Sequence, residues 1–234
     1  LALAPEELKH LEGDPEVTHF AQFSIGLQKS ETELEHLGDL KFALFGSVVP
    51  ITVANFITSI EQEINGYTNS IIHRVVKGVI AQGGFLKKVA WKEYEPIAYE
   101  RFPCENFQIL HNKPGRISLA STQDDTNGMS FFISIPQSTL YFDNKYVVFG
   151  QLVLGFDVLQ QISETPVNGE TPIGEIVITK SVYMDPSSVP MVMDFGAVTG
   201  EYSLFIYGAI ASAVLFAIYR LRNRRGLVDL KGFK

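Results

Sequence analysis

The chain has 234 residues, 46% of them hydrophobic, and carries 19 Lys and Arg against 26 Asp and Glu, enough for one well-buried core in one or two domains. Six of the basic residues sit in residues 220–234 beside one acid, Asp229, which leaves 13 basic and 25 acidic residues over 1–219; so acidic a body argues against nucleic acid as the main partner. Cys104 is the only cysteine and the five histidines (His10, His19, His36, His73, His111) lack ligand spacing, so no intramolecular disulfide, no metal site and no cofactor is expected.

Residues 1–16 are acidic and mostly polar, with Leu8 and Leu11 at helical spacing, and read as a short helix or a loose extension. Val17–Leu27 and Asp39–Phe45 read as a first strand pair, joined by a charged connection longer than a tight hairpin needs. Pro50 opens a helix running to about Glu63, with Val53, Phe56, Ile57, Ile60 and Ile64 on one core-facing stripe. Strand patterns follow at Ile71–Val76, Ile117–Ala120, Phe131–Ile135, Tyr146–Val153 and Glu175–Tyr183. Turn-rich pieces such as Lys113-Pro114-Gly115 and Asp124–Gly128 separate them. A second helix is predicted over Phe156–Ser163. Many short strands with two helices define a mainly β barrel or sandwich, and closure into a barrel removes exposed strand edges.

Asp185–Glu201, rich in Pro, Ser and Gly, reads as a linker. Tyr202–Tyr219 (YSLFIYGAIASAVLFAIY) has no charged residue. As a helix it is about 27 Å long, close to a hydrocarbon core of roughly 30 Å. Tyrosines mark both ends, and Arg220, Arg222, Arg224 and Arg225 follow at once. One transmembrane helix is expected there, with the basic tail cytoplasmic and the N-terminal body lumenal or extracellular. That orientation requires translocation, which a removed signal peptide ahead of Leu1-Ala2-Leu3-Ala4 would supply. Gly208 and Ser212 form a small-xxx-small pair of the kind that supports helix association.

The stretch Ile72–Phe85 (IHRVVKGVIAQGGF) places an arginine on a short apolar strand and, eight residues on, a glutamine before a double glycine. Two hydrogen-bonding side chains thereby share one apolar neighbourhood beside flexible backbone. With Thr126–Ile133 (TNGMSFFI) and Val147–Gly150 (VVFG), this pattern resembles the cyclophilins, which are peptidyl-prolyl cis-trans isomerases. The resemblance runs from about Val17 to Lys180, and the anchor makes it most similar to the membrane-anchored secretory cyclophilins of yeasts. It implies a closed eight-stranded antiparallel barrel capped by two helices, spanning residues 17–184 after a 1–16 extension.

Turning a prolyl bond meets a barrier of about 18–20 kcal/mol set by amide resonance. Lowering it needs an apolar slot for the ring, an anchor for the neighbouring carbonyl and a donor aimed at the imide nitrogen. No nucleophile is required. The resemblance implies that Arg74 is that donor, stabilising the twisted state more than the planar one, and that Gln82 orients it. Phe132 corresponds to the floor of the proline pocket, and Ala120 and Ser121 to the segment whose backbone pairs with the bound peptide. Ser121 stands where the family usually has asparagine.

Other positions depart further. Val79 and Ile80 stand where Phe and Met are usual, Tyr141 for a tryptophan, Phe142 for a leucine and Tyr146 for a histidine. Because that tryptophan usually donates to cyclosporin, weak drug binding is expected. The loop 87–97 carries Trp91, bulky neighbours and charges where a glycine-rich loop is common, and reads either as a partner contact or as barrel packing. The expected activity is isomerisation of proline-containing client segments in the secretory pathway (endoplasmic reticulum, Golgi or vacuole), reduced by the altered walls. The alternative is a binding module of the same fold, serving in a membrane-protein complex.

Overall fold

A computed structural model describes residues 3–87, 94–96, 101–121, 126–135 and 139–184. The strands are β1 (His19–Gln28), β2 (Leu34–Leu44), β3 (Ser70–Val76), β4 (Ile80–Lys87), β5 (Tyr94–Pro96), β6 (Phe102–Pro103), β7 (Arg116–Ser121), β8 (Thr126–Ser134), β9 (Val148–Leu154), β10 (Val167–Asn168), β11 (Thr171–Pro172) and β12 (Glu175–Met184). The α-helices are α1 (Pro5–Leu8), α2 (Pro50–Glu61) and α3 (Phe156–Glu164). Strands run β4-β3-β12-β1-β2-β9-β7-β8, and a β8–β4 pairing closes these eight into a ring with every neighbour antiparallel. The short β5 and β6 pair onto β4 and β8, and β10 with β11 forms a separate hairpin.

Inward-facing residues alternate along each strand and fill the barrel. Phe23 sits among Phe42, Phe56, Tyr67 and Phe131 at ring-centroid distances of 5.8, 5.8, 5.5 and 5.6 Å. Burying a side chain of this kind contributes roughly 2–3 kcal/mol of transfer free energy. The Tyr67 hydroxyl, deep in this cluster, donates to the Met129 carbonyl at 2.8 Å, which satisfies its polar end. Helix α2 delivers Val53, Phe56 and Ile60 to the core, and α3 delivers Val158, Leu159 and Ile162.

Several sequence expectations shift. Helix α2 stops at Glu61, so Ile64 lies beyond it and is 80% exposed rather than on the buried stripe. The charged connection after Gln28 is mostly strand, since β2 starts at Leu34 and only residues 29–33 form the loop. Its first residues project beyond the barrel with both faces in solvent, which erases the alternation a half-buried strand shows. Strand β8 starts at Thr126, well ahead of Phe131. Strand β4 had no pattern to announce it, because Gly83-Gly84 interrupts its apolar run.

The N-terminal segment is docked rather than loose. Glu7 Oε1 accepts from Lys41 Nζ at 2.8 Å, with both side chains under 10% exposed. Asp14 accepts both Nη groups of Arg116, at 2.9 and 2.6 Å. Two acids of the polar N-terminal stretch thus have buried cationic partners on the barrel. Buried pairs of this sort specify where a segment docks more than they add net stability.

No helix among the described residues is long and apolar enough to cross a membrane. The linker, the Tyr202–Tyr219 segment, the basic tail and Trp91 lie outside the described residues.

Candidate active site

The site grows from one row of register partners across four strands. Arg74 on β3 pairs with Gln82 on β4, Gln82 with Phe132 on β8, and Phe132 with Ser118 on β7. Direct cross-strand partners project from the same face of a sheet, so these four side chains stand side by side on the outside of the barrel. Their neighbours Val75, Ala81, Phe131, Ile133, Ile117 and Leu119 take the inside, in the core. This settles the roles of the adjacent phenylalanines: Phe131 packs inward and Phe132 outward.

A cleft of about 440 Å³ opens over that row, lined by Arg74, Val76, Val79, Ile80, Gln82, Ala120, Phe132, Tyr141, Phe142 and Tyr146. Nine of the ten residues singled out from sequence therefore converge, and Val76 joins them. The tenth, Ser121, follows Ala120 on β7, where its backbone pairs with Asn127. Between Leu119 and Ser121 the register slips, leaving Ala120 without a ladder partner on β8.

The cleft is aromatic on one side. Phe142 and Tyr146 both lie 5.1 Å from Phe132, tilted by 58° and 84°. Such edge-to-face contacts suit the ring quadrupoles, and the three rings with Val79 and Ile80 make up the apolar lining of the cleft.

At the polar end, Arg74 Nη1 donates to Gln82 Oε1 at 3.1 Å. Gln82 Nε2 donates to Ser130 Oγ at 3.3 Å, and Ser130 donates onward to the Gly83 carbonyl at 3.1 Å. Arg74 Nε donates to Glu170 Oε2 at 2.6 Å. The Arg74 guanidinium holds the Glu170 carboxyl below its ordinary range. Sequence reading missed Ser130 and Glu170. Glu170 lies 96 residues from Arg74, in a turn with no local mark of function.

Behind Phe132 is a second group that sequence reading did not assemble. His111 Nδ1 bonds Asp143 Oδ1 at 2.9 Å and Nε2 bonds Ser118 Oγ at 2.8 Å. Asp143 accepts, so Nδ1 carries the proton and Nε2 accepts from the Ser118 hydroxyl. Burial lowers the His111 pKa, which keeps the ring neutral. The order Ser-His-Asp resembles a hydrolytic triad, but Ser118 is buried and no substrate carbonyl reaches it. The group is a support.

Among the described residues no three His, Cys, Asp or Glu side chains converge as metal ligands would. The arrangement has two of the things prolyl rotation needs: an apolar seat and a cationic donor held by two acceptors.

The chain matches the family Cyclophilin type peptidyl-prolyl cis-trans isomerase/CLD over residues 29–182, and it belongs to that family. It is 36% identical over 172 residues to peptidyl-prolyl cis-trans isomerase D of Saccharomyces cerevisiae, covering 72% of this chain and 73% of that protein. To isomerase B of the same yeast it is 33% identical over 160 residues, covering 65% and 78%. It is also 36% identical over 157 residues to a Bos taurus protein named "Probable inactive peptidyl-prolyl cis-trans isomerase-like 6", covering 64% of this chain and 51% of that one.

Proposed function

We propose that the protein is a peptidyl-prolyl cis-trans isomerase acting on proline-containing segments of client proteins. One observation carries the reading: Arg74, braced by Gln82, faces an open apolar cleft floored by Phe132. The proline ring seats on Phe132 between Ile80 and the Phe142–Tyr146 pair, and the peptide backbone pairs along Ala120 and Ser121. Arg74 donates to the imide nitrogen as it loses conjugation, an interaction stronger in the twisted state than in the planar one. Val79, Ile80, Tyr141 and Tyr146 reshape the walls, so the rate is lower than an unaltered pocket would give, and cyclosporin binds weakly.

The apolar, uncharged Tyr202–Tyr219 segment with its four following arginines supports a single membrane span. The barrel then works on the lumenal side of a secretory compartment, assisting the folding of secretory or membrane proteins, with the basic tail in the cytoplasm. Resistance to alkaline extraction, together with protease protection of the barrel but not the tail, is the expected result.

The deciding experiment measures the cis-trans rate of a proline tetrapeptide with the purified chain beside Arg74→Ala. Loss of one such preorganised donor should lower kcat/KM by about 10²–10³. A folded protein that gives no acceleration sinks the catalytic reading. The same wall substitutions favour a second reading, a binding module, which then predicts proline-peptide binding without turnover.

A further inference from the structure

We propose that Glu170 is a positioning residue for Arg74, holding the guanidinium in the plane from which it meets a bound peptide. The proposal rests on the isomerase reading.

Glu170 is placed with unusual care for a residue in an exposed turn. The β10–β11 hairpin pairs Asn168 with Thr171, so its loop is Gly169-Glu170. Gly169 supplies the positive φ, 65°, that a two-residue loop of this kind requires at its first position. The Glu170 carbonyl then accepts from Val75 N at 2.8 Å. The turn is thus bonded to β3 at the residue directly after Arg74, and the carboxylate comes to Nε at 2.6 Å.

Gln82 takes Nη1 of the same guanidinium at 3.1 Å and is itself held by Ser130. Acceptors at two of three nitrogens define the plane of a rigid planar group. The third nitrogen, Nη2, has no acceptor among the described residues, and is left as the donor available to the peptide. The side chains of Arg74 and Glu170 are 39% and 52% exposed. A pair so wet adds little to fold stability, and solvent screens much of the carboxylate's opposing charge. What the pair retains is direction. An arginine on a half-exposed strand otherwise samples many rotamers, and fixing it beforehand removes an ordering cost from the twisted state.

The test compares the full-length chain with Glu170→Ala, Glu170→Gln, Arg74→Ala and the double variant Arg74→Ala/Glu170→Ala. It measures kcat and KM on a proline tetrapeptide and the ¹H–¹⁵N signal of Arg74 Nε. Glu170→Ala should lower kcat by about five-fold with KM little changed. Glu170→Gln, whose amide oxygen still accepts, should recover most of the loss. In the Arg74→Ala background, Glu170→Ala should cost nothing further. The Nε signal should move toward that of free arginine in Glu170→Ala and stay near wild type in Glu170→Gln.

Unchanged or increased kcat in Glu170→Ala overturns the proposal, as does an equal loss without Arg74. If the wild-type chain is inactive, the isomerase reading fails by itself. The Nε signal then decides alone: unaltered in Glu170→Ala, it overturns the positioning role, and shifted, it supports it.

Discussion

The ring of Phe132 lies almost parallel to that of His111, at 8° and 5.9 Å between centroids, so the floor of the cleft rests on a buried neutral imidazole. Asp143 on one side and Ser118 on the other hold that imidazole in place. Replacing His111 by leucine strands the buried Ser118 hydroxyl and leaves Asp143 with only the backbone N–H of residue 111, with a cost of about 1–3 kcal/mol. Denaturant unfolding checks the loss, and a peptide titration should show weaker binding as Phe132 loses its backing. Ser118→Ala, which removes one donor and leaves the Asp143 bond, should cost about 1 kcal/mol.

Gln82 acts through Arg74. Gln82→Ala removes the Nη1 acceptor, and the half-buried position tolerates the smaller side chain. The expected outcome is an approximately ten-fold fall in kcat with an unfolding midpoint close to wild type. A fall in midpoint that accounts for the lost activity counts against the role.

The double glycine after Gln82 is sterically demanded at its second position. Gly84 has φ 94°, and a Cβ there would stand 2.5 Å from the Met129 carbonyl oxygen and 3.0 Å from Ser130 Cα. Both are backbone atoms of β8 that cannot step aside. Gly84→Ala should therefore destabilise by more than about 2 kcal/mol. Gly78, with φ 69° and open space around it, carries only the left-handed penalty, so Gly78→Ala should cost about 1 kcal/mol. Thermal or denaturant melts of the two variants test the contrast.

Stability should fall on mild acidification. Burial first, and the neighbouring Arg74 charge second, lower the His73 pKa to about 4 from an ordinary 6.5. Its ring stacks on Phe85 at 3.7 Å, and Nδ1 has no hydrogen-bond partner among the described residues. Between those two values the unfolded chain takes up a proton that the folded chain refuses, so stability declines as pH drops from 6.5 toward 4. Burial of His111 acts in the same direction. Burial pushes the Glu7 carboxyl up, but Lys41 and the Ala4 backbone N–H together more than reverse it, so its contribution is lost only as pH falls below the ordinary carboxylate value. His73→Phe should flatten the slope of unfolding free energy between pH 6.5 and 4, measured by denaturant titration at several pH values.

Tyr141 is 59% exposed at the cleft rim and stands where cyclophilins usually carry a tryptophan that donates to cyclosporin. Tyr141→Trp should tighten cyclosporin binding by about ten-fold, read by calorimetric titration. An unchanged affinity means that Tyr141 does not limit drug binding.

Much of the site was legible because it is built on strands. Arg74 and Gln82 sit on adjacent strands of one hairpin, and the eight-residue interval between them lets register place them face to face. Ile72–Phe85, Thr126–Ile133 and Val147–Gly150 carry enough local pattern to suggest the family and its barrel, and that resemblance points to nine of the lining residues. Alternation along β8 says that Phe131 and Phe132 take opposite faces, and only the strand pairings decided that Phe131 is the inner one. Reading failed where solvent or glycine erases periodicity, at the start of β2 and along β4. The tertiary structure alone decided the pairings that span the chain: Glu7 with Lys41, Asp14 with Arg116, Asp143 with His111, and Glu170 with Arg74. Each joins segments far apart in the chain, and nothing local to either one marks the other as its partner. Local sequence sets which face of a strand a side chain takes, whereas the partner of a charge depends on how distant segments are brought together when the barrel closes.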